Sequence, residues 1–406
     1  MTRPIIRAVT GFIGHQDIEL YKALVDSSKI FEERGYKVRT RRASFENREW
    51  SKVSVIETAE YLDSMGIWGF SCSFDDPIDP IQIASAKTII ENSENGFVNF
   101  QLADDDWKID TNQVDPLARF ISNVSNNGGG INNFRVGVSF GLDSPTPFFP
   151  FSSNNGEKSF AVGLEYVDSL LKIIRENNRS SLSEIRASIA EELKEICSSI
   201  SEVCEKISLD SGLAFRGIDL SLAPFPYPLE DQSVVEVIEE LGNLARSRGD
   251  PIFRFGMSGT LFFHTFLTQT IKRVTEEINI PTTGFNGIMY SVLEDSRLGQ
   301  RFADKTCGIS DLLLTSTTCG CGIDMLPIVK RGSEKLIGGM ILDIFSLASM
   351  MKKPLGLRVL PIPESRAGDW TRFKHLFFTN TAIVDSGTGI SIHQLPSQVD
   401  DSIFRF

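Results

Sequence analysis

The stretch that decides the fold opens the chain: PIIRAVT (Pro4–Thr10), DIELYKALVDSSKIFEER (Asp17–Arg34), then YKVRTRR (Tyr36–Arg42). The outer pieces are short apolar and β-branched runs, as strands require. In the middle piece Leu20, Ala23, Leu24, Ser27 and Phe31 fall on one face of a 3.6-residue period. Gly35 lies just beyond it, where helix ends favour glycine. Strand, helix and strand of this size form a crossover unit, and parallel neighbours need such crossovers. The expectation is an α/β protein.

Working outward, the alternation continues. Strands are predicted at Ile67–Phe74, Phe97–Leu102 and Phe134–Phe140, with helices at Ile81–Ile90 and Leu117–Val124. The middle differs, because Phe160–Arg175 and Ser181–Leu209 read as two long helices with no strand between them. The second opens with a capping box, Ser181 and Glu184, and carries an apolar stripe from Ile185 to Ile207. Cys197 and Cys204 belong to that stripe as packing. Beyond it, strands are predicted at Leu213–Leu220, Thr282–Tyr290, Ile309–Thr315, Leu355–Leu360 and Phe377–Val384. Helices are predicted at Ser233–Arg246, Gly259–Ile278 and Glu334–Met351. Five strands, a helical insert at about 160–209 and five more strands allow either an open sheet or a closed barrel.

Composition narrows the function classes. The 406 residues are 41% hydrophobic and 23% charged, as globular chains are. At about 150 residues per domain this length suits two or three domains or one large barrel. Forty-one Lys and Arg against 53 Asp and Glu leave a formal charge of −12, which argues against nucleic acid or an anionic membrane as partner. The most apolar stretch, Leu336–Met351, contains Asp343 and is shorter than the ~20 residues of a membrane span. The start, MTRPIIRAVTGF, lacks a secretory pattern. Six cysteines in so long a chain are expected as reduced thiols of a cytoplasmic protein.

Three segments carry candidate chemistry. STTCGCGIDMLP (Ser316–Pro327) follows the apolar run DLLLTS, which reads as a strand, so Cys319 and Cys321 fall on a glycine-rich turn at a strand end. Ligands bind at such ends in α/β folds. A thiolate nucleophile, a redox pair, metal ligands or a merely tight turn would each fit. Carboxylates near strand ends form the second group: Asp219, Glu294, Asp295, Asp324 and Asp369. They suit proton transfer, helix capping, or a hard divalent cation such as Mg²⁺, for which Glu294, Asp295 and Asp219 are the candidate ligands. The third is SPTPFFPF (Ser144–Phe151), a rigid apolar loop whose Phe148 and Phe149 are expected to wall a substrate pocket. Arg358 and Arg366 are candidate anchors for an anionic substrate. Arg39, Arg41 and Arg42 read as a solvated strand end, NNGGGINN (Asn126–Asn133) as a surface turn, and His264 as a satisfied helix histidine. No dinucleotide, phosphate-loop, nucleophile-elbow or HExxH motif occurs.

Taken together, CGCGIDMLP (Cys319–Pro327), RGIDLSLAPFP (Arg216–Pro226), KKPLGLRVLPIPESRAGDW (Lys352–Trp370) and SPTPFFPF resemble the signature segments of a prokaryotic family of unknown function. This is domain of unknown function seven hundred and eleven, with a pyruvate formate-lyase-like fold. The resemblance implies a ten-stranded β/α barrel of two parallel five-stranded halves, one domain over residues 1–406. It also implies a thiol loop inside the barrel, which Cys319 and Cys321 would occupy. Glycyl radical enzymes of that fold carry a C-terminal glycine motif; here LPIP follows Arg358 and Val359, and the last glycines are Gly387 and Gly389. Non-radical cysteine and carboxylate chemistry is therefore expected, on a small anionic metabolite in the barrel mouth. Cys319, Cys321, Asp324 and Asp219 would be the catalytic residues, and homo-oligomerisation is expected. The rival reading is a non-catalytic metabolite- or metal-binding regulator on the same scaffold.

Overall fold

In the computed structural model the opening unit folds as read. β1 (Ile5–Phe12) leads through helices Leu20–Ser28 and Ile30–Glu33 to β2 (Val38–Phe45), which pairs parallel to it from Ile6↔Val38 to Phe12↔Ser44. The structure describes residues 3–103, 106–142, 144–154, 156–226, 230–318, 321–385, 389–390, 392, 395–400 and 402. β3 (Gly69–Asp75) and β4 (Gly96–Gln101) follow; after the two-residue β5 (Ile109–Asp110) comes β6 (Val136–Phe140). Each adds parallel to the last long strand, so the first five predicted strands form one parallel block. The crossover helices Lys52–Ser64 and Pro80–Asn92 begin with capping boxes at Ser51 and Asp79.

The remaining long strands are β7 (Ser159–Glu165), β8 (Ala214–Asp219), β9 (Gly322–Val329) and β10 (Leu355–Ile362). A short β11 (Gln398–Val399) pairs only with β5. The main sheet has nine strands in the order β8-β7-β1-β2-β3-β4-β6-β10-β9. All neighbours are parallel except β1 with β7 and β6 with β10, where the two blocks meet. The sheet curls strongly: Arg7 on β1 and Arg358 on β10, five places apart in this order, both reach Glu294.

One helix expectation and two strand expectations are corrected. Residues 159–165 are β7, and only Val167–Glu176 is helical, so the insert reduces to that helix and Leu182–Ser211. Every residue of β7 is buried, and a continuous apolar run carries no period that separates strand from helix. Residues 309–315 belong to helix Ile309–Thr318, where Ser316 and Thr317 hydroxyls donate to carbonyls three or four residues back. The strand of this region is β9, so the thiols precede a strand rather than end one. Residues 377–384 make isolated bridges only.

Nor, among the described residues, does the main sheet gain a tenth regular strand. Residues 281–292 carry positive φ at Gly284 and Asn286, which interrupts the pleat. They still lie against both sheet edges, in parallel bridges Ile218↔Thr282 and Leu222↔Ile288 on the β8 side and Ser291↔Asp324 on the β9 side. Residues 144–151 fill the concave face. Thr10 and Arg42 donate to the Pro147 carbonyl and Ser71 to that of Pro150. Gly137 and Gly356 admit the loop, since a Cβ at either would lie 2.7 Å from Pro150 or Phe151. The Asn126–Asn133 stretch runs through short 3₁₀ turns within Gly128–Arg135, kinked at Gly129 and Gly130, whose φ angles are positive. Among the described residues no helix is long and apolar enough to cross a membrane.

Candidate active site

A cavity of about 30 Å³ lies where the two blocks face each other, room for one or two waters as it stands. β1 places Arg7 in its wall, β2 Arg42, β9 Asp324 and β10 Arg358; Cys321 enters just ahead of β9, and Glu294 just ahead of helix Ser296–Ala303. Met289 and the aromatic side chains of Trp68, Phe97, Phe134, Phe148, Phe149, Phe151 and Phe377 supply the rest. Arg42 shares a strand face with Thr40, to whose Oγ1 its Nε donates at 2.8 Å.

The charges form a chain. Lys37 meets Glu230 at 2.6 Å, Glu230 meets Arg39 at 3.2 Å, and Arg39 meets Glu165 at 2.6 Å. Glu165 lies 3.4 Å from Arg7, which donates to Glu294 at 3.1 Å. Glu294 stands 3.6 Å from Arg358, whose Nε and Nη2 grip Asp324 at 2.6 and 2.8 Å. That last pair is a bidentate fork, the strongest geometry for a guanidinium and a carboxylate. Burial lifts the Glu294 carboxyl above the ordinary carboxylate range; Arg7 and Arg358 oppose the rise, and Asp324 adds to it. Burial also pushes Arg42 down to about 9, with Arg7 contributing, so it remains a cation at neutral pH. A carboxyl with a raised pKa in a water-poor, aromatic-walled cavity can take and return a proton.

Of the residues singled out in the sequence, the cavity gathers Cys321, Asp324, Glu294, Arg358, Phe148 and Phe149. Cys319 lies outside the described residues. Asp219 and Asp295 are not among the lining residues. The Asp219 carboxylate accepts from Ser221 N and Oγ at 2.9 and 2.6 Å and from Phe285 N and Asn286 N at 3.1 Å, tying β8 to the 283–287 turn. Asp295 accepts from Ser233 Oγ at 2.6 Å, Val235 N at 3.1 Å and Leu298 N at 3.0 Å, fastening the starts of helices Val234–Leu244 and Ser296–Ala303 together. Arg366 is exposed, in a turn closed by its backbone N–H donating to the Asp369 carboxylate at 2.8 Å. Its guanidinium is not part of the cavity wall. With Asp219 and Asp295 committed to backbone donors, the oxygens expected to hold Mg²⁺ do not converge. Among the described residues no three His, Cys, Asp or Glu side chains stand together as a metal site. His264 is buried, with Nδ1 2.9 Å from the Tyr290 hydroxyl, as a satisfied histidine should be.

Sequence reasoning passed over Arg7 and Trp68, and took Arg39 and Arg42 for solvated residues. Both side chains are buried. The overlooked signal is that a parallel strand is covered on both faces, so arginines within one are buried arginines.

The fold and this cavity define a class: a curled, mostly parallel α/β sheet holding a buried arginine–carboxylate chain around an aromatic chamber. The chain belongs to the family described as Uncharacterised ACR (DUF711), whose model matches residues 7–379. Relatives agree, each bearing the name UPF0210 protein. One from Pyrobaculum arsenaticum is 28% identical over 181 residues, 45% of this chain and 38% of its own length. One from Sulfurisphaera tokodaii is 31% identical over 157 residues, 38% of this chain and 33% of its own length. One from Oenococcus oeni is 30% identical over 158 residues, 39% of this chain and 33% of its own length. The matched stretch thus spans about a third of each relative's length.

Proposed function

We propose that the protein is an enzyme that moves a proton on or off a small anionic metabolite held in the aromatic cavity, with Glu294 as proton carrier. One observation carries this reading: the buried Glu294 carboxylate, set between Arg7 and Arg358, forms part of the wall of a chamber with more guanidinium than carboxylate charge. Arg358 is taken up by Asp324, so the pair positions Glu294 and shapes the wall. Cys321 is the thiol that meets the substrate, and Cys319 precedes it by two residues in the sequence. A cytoplasmic setting, where thiols stay reduced, suits this chemistry.

The test is hydrogen exchange at carbon. A panel of small carboxylates is incubated with the protein in D₂O and followed by NMR. The expected result is deuterium incorporation into at least one compound, reduced about 10²- to 10⁴-fold by Glu294→Gln, the usual contribution of a positioned acid or base. Tight binding with neither exchange nor conversion would leave a metabolite-binding regulator instead.

We also infer that residues 281–292 act as a tenth member of the sheet and close it into a barrel of two five-membered parallel halves. Backbone bonds to both edges support this: Met289 N donates to Leu222 O at 2.9 Å and Val292 N to Asp324 O at 3.0 Å. Closure predicts slow amide exchange at both positions; exchange as fast as in exposed loops would favour an open sheet.

A further inference from the structure

One arginine of the cavity wall stands apart from the chain of ion pairs, whose far end, Lys37, is exposed. Along the chain of contacts from Lys37 to Asp324, four cations (Lys37, Arg39, Arg7, Arg358) meet four carboxylates (Glu230, Glu165, Glu294, Asp324). That set is neutral. Arg42 stands outside it. Only 6% exposed, it has no carboxylate within 4.0 Å among the described residues. Its hydrogen bonds run from Nε to Thr40 and from Nη1 to the Pro147 carbonyl at 3.2 Å; Nη2 makes none among the described residues. The rings of Trp68 and Phe149 flank it, with centroids 5.2 and 5.1 Å away. A guanidinium taken out of water without a counter-charge is costly, and the fold retains this one in the wall of its cavity.

We propose that the cavity binds a small monocarboxylate and that Arg42 is the residue that selects it. This rests on the proton-transfer reading above and names its substrate class. A carboxylate offers two oxygens to the planar guanidinium edge and pairs the charge of Arg42. Phe148, Phe149 and Met289 leave an apolar body as the fitting remainder of the ligand, and the small chamber keeps that body short. A second negative charge would face Glu294 and Asp324, whose arginines are already engaged, so dicarboxylates are refused by repulsion.

The probes are formate, acetate and propionate, against acetamide, propionamide and malonate, with dissociation constants measured by calorimetry or ligand-observed NMR. Acetate or propionate is expected to bind at least tenfold more tightly than its amide and than malonate. Arg42→Lys, which keeps the charge but loses the fork, weakens binding about tenfold or more, and Arg42→Met abolishes it. Equal binding of carboxylate and amide by the unaltered protein overturns the proposal without recourse to any variant. So does unchanged acetate binding by Arg42→Met. Glu294→Gln separates the two readings: acetate binding kept by this variant, in a protein that exchanges no carbon-bound hydrogen, supports recognition while the proton-transfer reading fails.

Discussion

Arg42 and Arg358 show how two buried residues of one type differ by their partners. Arg358 is matched by Asp324 in a bidentate pair, so its removal strands a buried carboxylate. Arg358→Leu is expected to cost about 3–5 kcal/mol in denaturant unfolding, the usual penalty for breaking a buried pair. Arg42 has no carboxylate within 4.0 Å among the described residues, and Arg42→Met is expected to cost less than about 1 kcal/mol, since apolar replacement of buried charge is often neutral. Comparable losses in the two variants would show that Arg42 is compensated by something other than a ligand. The residue scale is also where sequence reading did best and worst. Cys321, Asp324, Glu294 and Arg358 were singled out on predicted strand ends and share one cavity, although Cys321 lies just ahead of β9, Asp324 near its start and Arg358 within β10. Arg42 was not, because a solvated strand end and a buried cationic one have the same spelling until burial of the strand is known.

Among elements, the 144–151 loop matters most, because it occupies the concave face that strands leave open. Its prolines fix its path, and glycines on the strands beneath make room for Pro150 and Phe151. Gly356→Val should overpack this contact and cost about 1–3 kcal/mol. Gly339→Ala, in helix Ser333–Met351 with nothing within 4 Å of the added Cβ, should instead stabilise by about 0.5–1 kcal/mol. Thermal or denaturant melts of both variants check this, and equal effects would mean the loop yields to the strands. The loop's role as a pocket wall was readable from its prolines and phenylalanines. β7 and β9 were not readable as strands. SFAVGLE is buried throughout and aperiodic, whereas the helix Ile309–Thr318 presents an apolar, threonine-rich run that imitates a strand.

For the whole molecule, the first five strands were legible because segments of helical period separate them, and crossovers force parallel order. The edge segment 281–292 was harder, since its pairing partners lie on strands at opposite ends of the sheet order. Thiols distributed through the structure give a global pH prediction. Burial pushes Cys72, Cys197 and Cys307 up to about 12 and raises Cys204 as well. In the unfolded chain such thiols ionise near their ordinary value, about 8.5. Their stabilising contribution is therefore whole below that value and is lost as pH rises through about 12. Denaturation midpoints should fall between pH 9 and 12, and less steeply in a variant with these four cysteines replaced by alanine. A midpoint indifferent to the replacement would show that the thiols are not sealed in.

Arg42, outside the chain of ion pairs, is the point on which the functional account turns, and a crystal structure grown with acetate tests it most directly. The predicted result is an acetate carboxylate within hydrogen-bond distance of Arg42 Nη2, its methyl group toward the phenylalanine wall and Glu294 alongside. Acetate bound only elsewhere, with Arg42 satisfied by a protein carboxylate, would contradict it.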